Sequence, residues 1–280
     1  MEKSDFKDKV VIITGSSSGI GKATAISLCK RGAKVVLNGR NPEKLLECRI
    51  ELTARGFNVI AVKADITNPE DCQNLMQTTL DSFGKIDVLI NNASLTMNEQ
   101  FDQLHSSLFE KIFNSNSMGA VHPTWAALPH LKKTKGSVIF ISSLAGIHGL
   151  PSASAYCGGK MALTAIWQSL RIELGGSGVH FGICYVSFTQ NDTQKRMIAR
   201  DGELVKVPKR PKFLQQSQQK VANSIIGMIK RRRSKKILSP IGKISAFAFR
   251  FLPRTVSFLM IQIQKRNNRK QQLTQTTEAC

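Results

Sequence analysis

The hydrophobic residues of this chain fall into short continuous runs that alternate with longer stretches of helical periodicity. The short runs are rich in β-branched residues and predict strands at residues 10–14, 34–38, 58–63, 88–91, 137–142 and 180–186. The stretches between them predict helices at residues 21–31, 42–55, 69–83, 101–130 and 154–174. Because strands that alternate with helices in this way form parallel sheets with crossover helices, we predict an α/β fold with a doubly wound parallel sheet.

The pattern loosens after residue 186. Residues 187–216 contain a proline-spaced segment at 207–212 and predict a mobile substrate loop, whereas residues 218–233 predict an amphipathic helix and Ile237-Leu238 a last short strand. An apolar but interrupted segment follows at 241–264, and the polar residues 265–280 predict a disordered tail. With no internal repeat and no clear linker, we predict one domain over residues 1–240, followed by this extension and tail.

The charge of the chain is unevenly distributed. The formal net charge is +21, and residues 204–280 hold 18 basic side chains and one acidic side chain, Glu278. The first residues are charged and lack the apolar segment of a secretory signal, and the six cysteines show no C-x-x-C spacing. These features predict a cytoplasmic protein with reduced thiols and a strongly cationic C-terminal quarter.

A glycine-rich turn follows the first predicted strand. Gly15 permits a tight turn, Gly19 lets the backbone come close to a ligand, and Gly21 allows the following helix to approach the strand. The N-terminus of that helix offers N–H groups and a favourable dipole to a pyrophosphate. An ordinary strand-to-helix turn is the alternative, but the flanking strand and helix patterns favour a dinucleotide site in a Rossmann fold.

The end of the second strand indicates which dinucleotide is preferred. An acidic residue here would bind the adenosine ribose of NAD(H), but the chain has Gly39 followed by Arg40. A guanidinium suits the 2′-phosphate of NADP(H), so NADP(H) is preferred and NAD(H) is not excluded. Arg40 could instead be a solvated loop charge. Asp65, at the end of the third strand, could accept a hydrogen bond from the adenine amino group or cap its own turn.

Tyr156 and Lys160 are candidates for acid–base chemistry. Residues four apart lie on one face of a helix, so the lysine ammonium would stand beside the phenol and lower its pKa toward neutrality. A phenol of that kind suits a general acid or base. Ser143 lies thirteen residues before the tyrosine, at the end of an apolar run. The order of glycine-rich turn, hydroxyl and Tyr/Lys pair makes an enzyme the leading hypothesis.

The motifs over residues 9–186 resemble those of the short-chain dehydrogenase/reductase family. Residues 14–21 resemble its T-G-x-x-x-G-x-G motif, residues 91–94 its N-N-A-G motif with Ser94 in place of the glycine, residues 116–119 its N-x-x-G motif, and residues 156–160 its Y-x-x-x-K signature. Two further departures stand out. Gly158 and Gly159 replace the usual alanine and serine before the lysine. After the sixth strand the family usually has P-G, followed four residues later by a threonine that contacts the nicotinamide carboxamide; here P-G is missing and Thr193 falls one position late.

The resemblance implies a hydride transfer between nicotinamide and a carbonyl or alcohol carbon. Tyr156 would exchange the hydroxyl proton, and Lys160 would support the tyrosine and bind the nicotinamide ribose. Ser143 would bind the substrate oxygen, and Asn116 would hold a water in a proton relay. The residues expected to contact the dinucleotide are Gly15, Ser17, Gly19, Ile20, Gly21, Arg40, Asp65, Ile66, Asn92, Tyr156 and Lys160. No metal site is expected.

The segment 241–264 combines apolar and basic residues. Apolar side chains between clusters of Lys and Arg suit a helix that lies in an anionic membrane surface, and membrane-attached members of the family have similar extensions. Its longest uncharged stretch, residues 255–264, has ten residues, which is too short to span a bilayer. Packing on the catalytic domain or on a dimer partner is the alternative, and nonspecific nucleic-acid binding is less favoured.

These observations define two functional hypotheses. The first is an NADP(H)-dependent oxidoreductase with a small, lipophilic substrate, such as a steroid- or lipid-like ketone, that is peripheral on a membrane face. The second is a non-catalytic NADP(H) sensor or membrane scaffold, which the Asn116, Ser143, Tyr156 and Lys160 set argues against. The family resemblance also makes a homodimer or homotetramer possible.

Overall fold

The computed structural model describes residues 5–190, 196–199, 201–207 and 215–278. Its main sheet is parallel and has seven strands in the order β3-β2-β1-β4-β5-β6-β9. The predicted doubly wound α/β fold is therefore confirmed. In chain order the strands are β1 Val10–Ile13, β2 Lys34–Gly39, β3 Val59–Lys63, β4 Val88–Asn91, β5 Ser137–Ser143, β6 His180–Val186, β7 Arg196–Ile198, β8 Leu204–Lys206 and β9 Lys235–Ile237.

Helices cover both faces of the sheet. They are α1 Gly19–Cys29, α2 Pro42–Ala54, α3 Pro69–Phe83, α4 Ser106–Asn116, α5 Met118–Thr134, α6 Ser154–Glu173, α7 Gln218–Lys230, α8 Pro240–Phe251 and α9 Pro253–Glu278. Strand β1 shows the two-sided burial, because Val11 and Ile13 belong to one core cluster and Val10 and Ile12 to another. Both faces of the sheet are dry, which is why its central strands read as continuous apolar runs.

The chain reverses its direction across the sheet between β1 and β4. The first three strands run outward on one side as β1, β2 and β3, and the chain then returns to place β4 on the other side of β1. In open parallel sheets, ligands bind at the carboxyl ends of the strands beside such a switch point. The residues that follow β1, β2, β3, β4 and β5 therefore meet at one edge of the sheet.

The prediction of one helix over residues 101–130 is wrong, because the structure has a short turn and two helices in this range. A short 3-10 turn at Phe101–Gln103 precedes α4, and α4 ends at Asn116, one residue before α5 begins. Ser117, between the two helices, has φ −110° and ψ −72°, which is right-handed but away from the values of a regular α-helix. At the break, the side-chain Nδ2 of Asn116 donates to the Ile112 carbonyl over 2.8 Å. Side-chain bonds to the carbonyl four residues back are known to bend helices. The apolar periodicity continues across this break and so conceals it.

The predicted loop 187–216 contains regular structure that the sequence pattern did not indicate. Strands β7 and β8 form an antiparallel hairpin, and Ile198 bridges to Met97. Thr189 forms a second bridge with Gln216 and so ties the two ends of the loop together. Thr193 and most of the proline-spaced segment 207–212 lie outside the described residues.

The C-terminal segment forms two helices rather than one. Pro253 begins α9 directly after α8, and the two helices are bent by 113°. Among the described residues, no single helix is long and apolar enough to span a membrane; Pro240–Phe251 and Pro253–Arg266 meet that test only as a pair. The last strand, β9, begins two residues earlier than predicted. Helix α9 also runs into the segment predicted as a disordered tail, and the division into domain, extension and tail stays a prediction.

The buried histidine at the start of β6 makes the stability of this sheet sensitive to pH. The pKa of His180 is lowered from 6.5 to about 4, mainly by burial. A hydrogen bond with the Arg233 backbone acts to raise this pKa, and the Arg232 and Arg171 guanidiniums act to lower it. The side chain lies 3.3 Å, Nδ1 to Oγ, from Ser137 on the adjacent strand. The folded state therefore binds this proton less readily than the unfolded state does.

We predict that His180 lowers the free energy of unfolding as the pH falls from about 6.5 to 4. Above pH 6.5 the histidine is neutral in both states and has no such effect. Urea unfolding at pH 7 and pH 5 should show a loss about 1–2 kcal/mol larger for the wild type than for His180→Gln, because the glutamine cannot take up the proton. Equal losses in the two proteins would contradict this prediction.

Candidate active site

The glycine-rich turn between β1 and α1 is shaped for a close ligand. Gly15 has φ +63°, and a Cβ built on it would lie 2.8 Å from the Cα of Ala93. A Cβ on Gly21 would lie 2.3 Å from the Gly15 carbonyl oxygen, so the first turn of α1 lies directly against the loop. Gly19 has φ +56° and no atom within 4 Å of its Cβ position, so the space at that position is open. These three glycines fit the cradle that a dinucleotide requires.

Hydrogen bonds from the end of β4 hold this turn in place. The Asn92 side-chain Nδ2 donates to the carbonyl oxygens of Thr14 and Gly15, over 2.9 and 3.0 Å. The Thr14 hydroxyl accepts from the backbone N–H groups of Asn92 and Ala93, over 2.9 and 3.1 Å. Asn92, predicted to contact the dinucleotide, thus supports the loop itself. Thr14 was not among the predicted site residues, although it is the first residue of the T-G-x-x-x-G-x-G motif.

The N-terminus of α1 differs from those of the neighbouring helices. Asn41 and Asn68 cap α2 and α3 with their side chains, and both helices carry acidic residues in the first turn. Helix α1 has no side-chain cap at Ser18 and no acidic residue in its first turn. Because the dipole of an α-helix favours anions at this end, the N-terminus of α1 suits a pyrophosphate.

Arg40 and Asp65 stand together at the ends of β2 and β3. Arg40 is exposed, and its NH1 lies 3.9 Å from Oδ2 of Asp65. The other carboxylate oxygen of Asp65 accepts from the N–H and hydroxyl of Thr67, over 3.0 and 2.7 Å. Partial burial acts to raise the pKa of Asp65, but these hydrogen bonds, with Arg40 and Lys111, hold it below its usual value. Asp65 therefore caps its own turn, as one of the two predicted alternatives states, while Oδ2 faces Arg40.

A cavity of about 410 Å³ opens beside this pair. It lies between the ends of β2 and β3 and helices α4 and α5, and Tyr156 is not among its lining residues. The residues that line it are Arg40, Asp65, Thr67, Leu95, Ser107, Glu110, Lys111, Asn114, Ser115, Met118 and His122.

Helix α6 places Tyr156 and Lys160 on one face. The Lys160 ammonium is 5.9 Å from the centroid of the Tyr156 ring and donates to the Ile141 carbonyl in β5 over 3.0 Å. Lys160 is only 3% exposed, whereas Tyr156 is half-buried. The lysine is therefore a buried cation anchored to the sheet, and the tyrosine beside it is within reach of a ligand.

Ser143 is the last residue of β5, opposite Val186 in the register with β6. Its hydroxyl accepts from the Ala145 N–H over 3.3 Å, and its side chain is half-buried. Ser142 is 3% exposed, and its hydroxyl has no partner among the described residues. A Cβ on Gly146 would lie 2.4 Å from the Ser142 hydroxyl, so that serine is enclosed by the protein. Of the two serines, Ser143 is the accessible one.

Asn116 is almost fully buried at the end of α4. Besides its bond to Ile112, Nδ2 donates to the Leu95 carbonyl over 2.7 Å, and Oδ1 accepts from the Ser94 hydroxyl over 2.9 Å. Ser94 is the residue that departs from the N-N-A-G motif, and the structure gives it this partner. A Cβ on Gly159 would lie 2.7 Å from the Asn116 Cβ, so the glycine lets α6 approach α4 closely. The water relay through Asn116 stays a prediction.

The remaining predicted contact residues lie around the same cleft. Ile66 is 5% exposed and follows β3, where its side chain lies under Gly119 of α5. Ser17 and Ile20 are half-buried in the loop and first turn of α1. The segment after β6 lacks P-G, but Gln216 donates its N–H to the Phe188 carbonyl over 2.9 Å and so secures residues 187–190.

Comparison with known proteins shows the family of this chain. The family model described as short chain dehydrogenase matches residues 9–202, well over half of the chain. The chain belongs to the short-chain dehydrogenase family. The dinucleotide cradle and the Tyr156/Lys160 pair thus occur in a family of oxidoreductases.

Several curated relatives share about a third of their aligned residues with this family member. An 11-beta-hydroxysteroid dehydrogenase 1A from Arabidopsis thaliana is 36% identical over 200 residues, which are 70% of this chain and 57% of the relative. An 11-beta-hydroxysteroid dehydrogenase from Pinus massoniana is 35% identical over 204 residues, 72% of this chain and 57% of the relative. The match therefore covers little more than half the length of these relatives.

Two solved structures share the fold. A short-chain dehydrogenase/reductase from Burkholderia phymatum in complex with NAD has a TM-score of 0.77 at 23% identity, and the match covers 86% of this chain and 92% of that one. An alcohol dehydrogenase from Thermococcus sibiricus complexed with 5-hydroxy-NADP has a TM-score of 0.71 at 23% identity and covers 82% and 95%. At this identity the likeness shows the fold alone.

We predict that Gly21→Ala destabilises the protein by about 1–3 kcal/mol, because the added methyl group would clash with the Gly15 carbonyl and the Asn92 amide. The matched control is Gly227→Ala in α7, where no atom lies within 4 Å of the Cβ position. The control should be neutral or stabilising by about 0.5–1 kcal/mol. Chemical unfolding measures both, and equal stability of the two variants would contradict the close packing of the cradle.

Proposed function

We propose that this short-chain dehydrogenase family member is an NADP(H)-dependent oxidoreductase that acts on a lipophilic carbonyl compound or the matching secondary alcohol. The observation that carries the proposal is the buried Lys160 ammonium beside the half-buried Tyr156 phenol, at the same sheet edge as the glycine cradle. A cation held so near a phenol favours its ionised form, which suits proton exchange with a substrate oxygen.

The nicotinamide cofactor supplies or accepts the hydride. Gly15, Gly19 and Gly21 let the backbone come close to its pyrophosphate. Tyr156 gives the proton to the substrate oxygen during reduction and takes it during oxidation. Ser143, at the accessible end of β5, donates a hydrogen bond that orients this oxygen. Lys160, beside the tyrosine ring, supports the tyrosine and binds the nicotinamide ribose.

The surroundings of Tyr156 support a lipophilic substrate. Its ring packs against an apolar cluster formed by Met97, Ile112, Ala155 and Ile198. Strand β7 brings Ile198 to this cluster from the loop after β6, so part of the substrate loop faces the reactive tyrosine. The curated relatives include proteins named 11-beta-hydroxysteroid dehydrogenase, and a steroid- or lipid-like ketone would match this apolar wall.

The end of β2 supports a preference for NADP(H). Arg40 is exposed beside the cavity at the adenosine end, and Gly39 occupies the position where an acid would select NAD(H). Ser17 adds a hydroxyl on this side, 3.6 Å from the Cβ position of Gly39. The carboxylate of Asp65 lies 3.9 Å from the Arg40 guanidinium. This pairing is loose enough for a phosphate to compete with it.

The C-terminal helices support peripheral attachment to a membrane. Large apolar side chains of α8 and α9 are exposed, at 52–68% for Ile244, Phe247, Phe251, Leu252, Phe258, Leu259, Ile261 and Ile263. Exposed apolar residues of this number mark an interaction surface. The protein would then be cytoplasmic and peripheral on a membrane face, and a homodimer or homotetramer remains compatible with this placement.

We predict that Tyr156→Phe lowers kcat for NADPH-dependent ketone reduction by about 100-fold or more, because the phenylalanine cannot donate a proton. The Kd for NADPH should change less than about twofold. The matched control is Tyr185→Phe, which affects the only other tyrosine, a residue 1% exposed whose hydroxyl donates to Thr164 over 3.1 Å. This control should keep its activity.

Turnover by the Tyr156→Phe variant at the wild-type rate would refute the assigned acid. Tight NADPH binding by the wild type, with no turnover on any ketone of a broad panel, would instead favour the NADP(H) sensor.

We predict that Arg40→Asp weakens NADPH binding at least about tenfold, because a carboxylate repels the 2′-phosphate. The preference for NADPH over NADH should narrow or reverse, because a carboxylate can bind a ribose hydroxyl of NADH. Arg49→Asp, the same charge change on the exposed side of α2, should alter neither Kd by more than about twofold. Fluorescence titration with both dinucleotides measures this. An unchanged ratio of the two Kd values in Arg40→Asp would contradict the proposed selectivity.

A further inference from the structure

A second cavity, of about 340 Å³, shares no lining residue with the first and lies between α8, β9 and the segment after β5. We refer to it as the α8 pocket. Its lining combines basic with apolar and aromatic side chains and contains no carboxylate. The residues that line it are Ile147, Lys235, Ile237, Lys243, Ala246, Phe247, Phe249, Arg250 and Phe251.

The three basic residues of the α8 pocket have no anionic partner in the described part of the chain. Lys235, Lys243 and Arg250 are exposed, and none of them occurs in the ion pairs of the described residues. The sequence also has no Asp or Glu from 204 to 277 that could neutralise them. Three cations that converge on one concavity produce a strong local attraction for an anion.

The apolar wall of the α8 pocket continues outward into an exposed surface. Phe247 and Phe251 are 60% and 61% exposed, and their ring centroids lie 4.7 Å apart. Lys243 and Arg250 are seven residues apart on the same helix, so α8 presents cations and aromatic rings beside one another. A soluble anion such as phosphate would use the cations but would leave these rings in water.

The α8 pocket also touches the segment that leads from Ser143 to α6. Ile147 lines the pocket, and the ring of its neighbour His148 stacks on Phe249, with centroids 4.5 Å apart and planes at 17°. Whatever occupies the pocket therefore lies against the chain that immediately follows the candidate substrate-binding serine.

We propose that the α8 pocket binds the phosphate headgroup of an anionic phospholipid, with Lys235, Lys243 and Arg250 around the phosphate and Phe247 and Phe251 in the acyl layer. This inference rests on the proposed membrane attachment and adds a headgroup, a site and a lipid selectivity to it. Each cation near an anionic lipid surface favours binding, and the aromatic rings add an apolar contribution.

Charge complementarity favours the lipid over a second copy of the chain. The C-terminal quarter holds 18 basic side chains and one acidic one, so a symmetric contact through α8 would bring like charges together. A nucleic acid would satisfy the cations but not the exposed Phe247 and Phe251, which protrude where a phosphate backbone offers no apolar surface.

The test uses the full-length protein and co-sedimentation with two kinds of vesicle, pure phosphatidylcholine and an equal mixture of phosphatidylcholine and phosphatidylglycerol. The variant Lys243→Gln/Arg250→Gln removes two cations of the α8 pocket. The control Lys132→Gln/Lys133→Gln removes two exposed cations at the end of α5. Thermal unfolding confirms that both variants fold.

We expect the wild type to prefer the phosphatidylglycerol vesicles, the pocket variant to bind them about tenfold or more weakly, and the control to change less than about twofold. NADPH-dependent turnover of a water-soluble ketone should be equal in all three proteins, so a failure of the lipid site is distinct from a failure of the oxidoreductase.

Other outcomes overturn the proposal. Equal binding to both vesicles would keep the membrane attachment but remove the headgroup site. An equal loss in both variants would indicate general charge attraction, and no binding to either vesicle would refute the attachment as well. Calorimetric binding of inorganic phosphate without vesicle binding would assign the pocket to a soluble anion. Binding of a DNA duplex by the wild type that is lost in the pocket variant would assign the α8 pocket to nucleic acid.

Discussion

The hydrogen bond from the Lys160 ammonium to the Ile141 carbonyl is the contact on which the candidate active site depends. It joins α6 to β5 across 3.0 Å and buries a cation that would otherwise stay in water. Burying a charge is costly unless it is hydrogen-bonded, so this bond stabilises both the Lys160 side chain and the packing of α6 on β5. Tyr156, one turn earlier, is thereby placed at the sheet edge where Ser143 ends β5.

The same edge carries the glycine cradle because the sheet reverses its order between β1 and β4. Thr14 ends the first of these strands, Asn92 follows the second, and their hydrogen bonds close the turn that contains Gly15. The candidate catalytic pair and the glycine cradle thus depend on one topological feature, which brings Thr14 and Asn92, 78 positions apart, into contact. Helix α8 contacts the segment that follows Ser143 through the stack of His148 on Phe249.

Most of the fold could be predicted from the sequence, and the failures have physical causes. Strands buried on both faces leave apolar runs, which is why the six predicted strands have counterparts in the sheet. The break at Ser117 occurs where the side-chain amide of Asn116 bonds to the Ile112 carbonyl, and the hairpin β7–β8 is joined to the rest of the chain by the bridge between Ile198 and Met97. Neither leaves a periodic pattern. For the site, the motifs predicted Tyr156 and Lys160 and included Thr14, whereas the bonds that the Thr14 hydroxyl accepts from Asn92 and Ala93 are visible only once β1 and β4 are adjacent.

The proposed function requires that one cleft hold a substrate oxygen between the phenol of Tyr156 and the hydroxyl of Ser143, beside the nicotinamide. The decisive measurement is a crystal structure of the ternary complex with NADP⁺ and a secondary alcohol. We expect an alcohol oxygen within about 2.6–3.2 Å of both side-chain oxygens, with the pyrophosphate at the N-terminus of α1. A Tyr156 hydroxyl that points away from the nicotinamide, or a dinucleotide bound outside the glycine cradle, would contradict it.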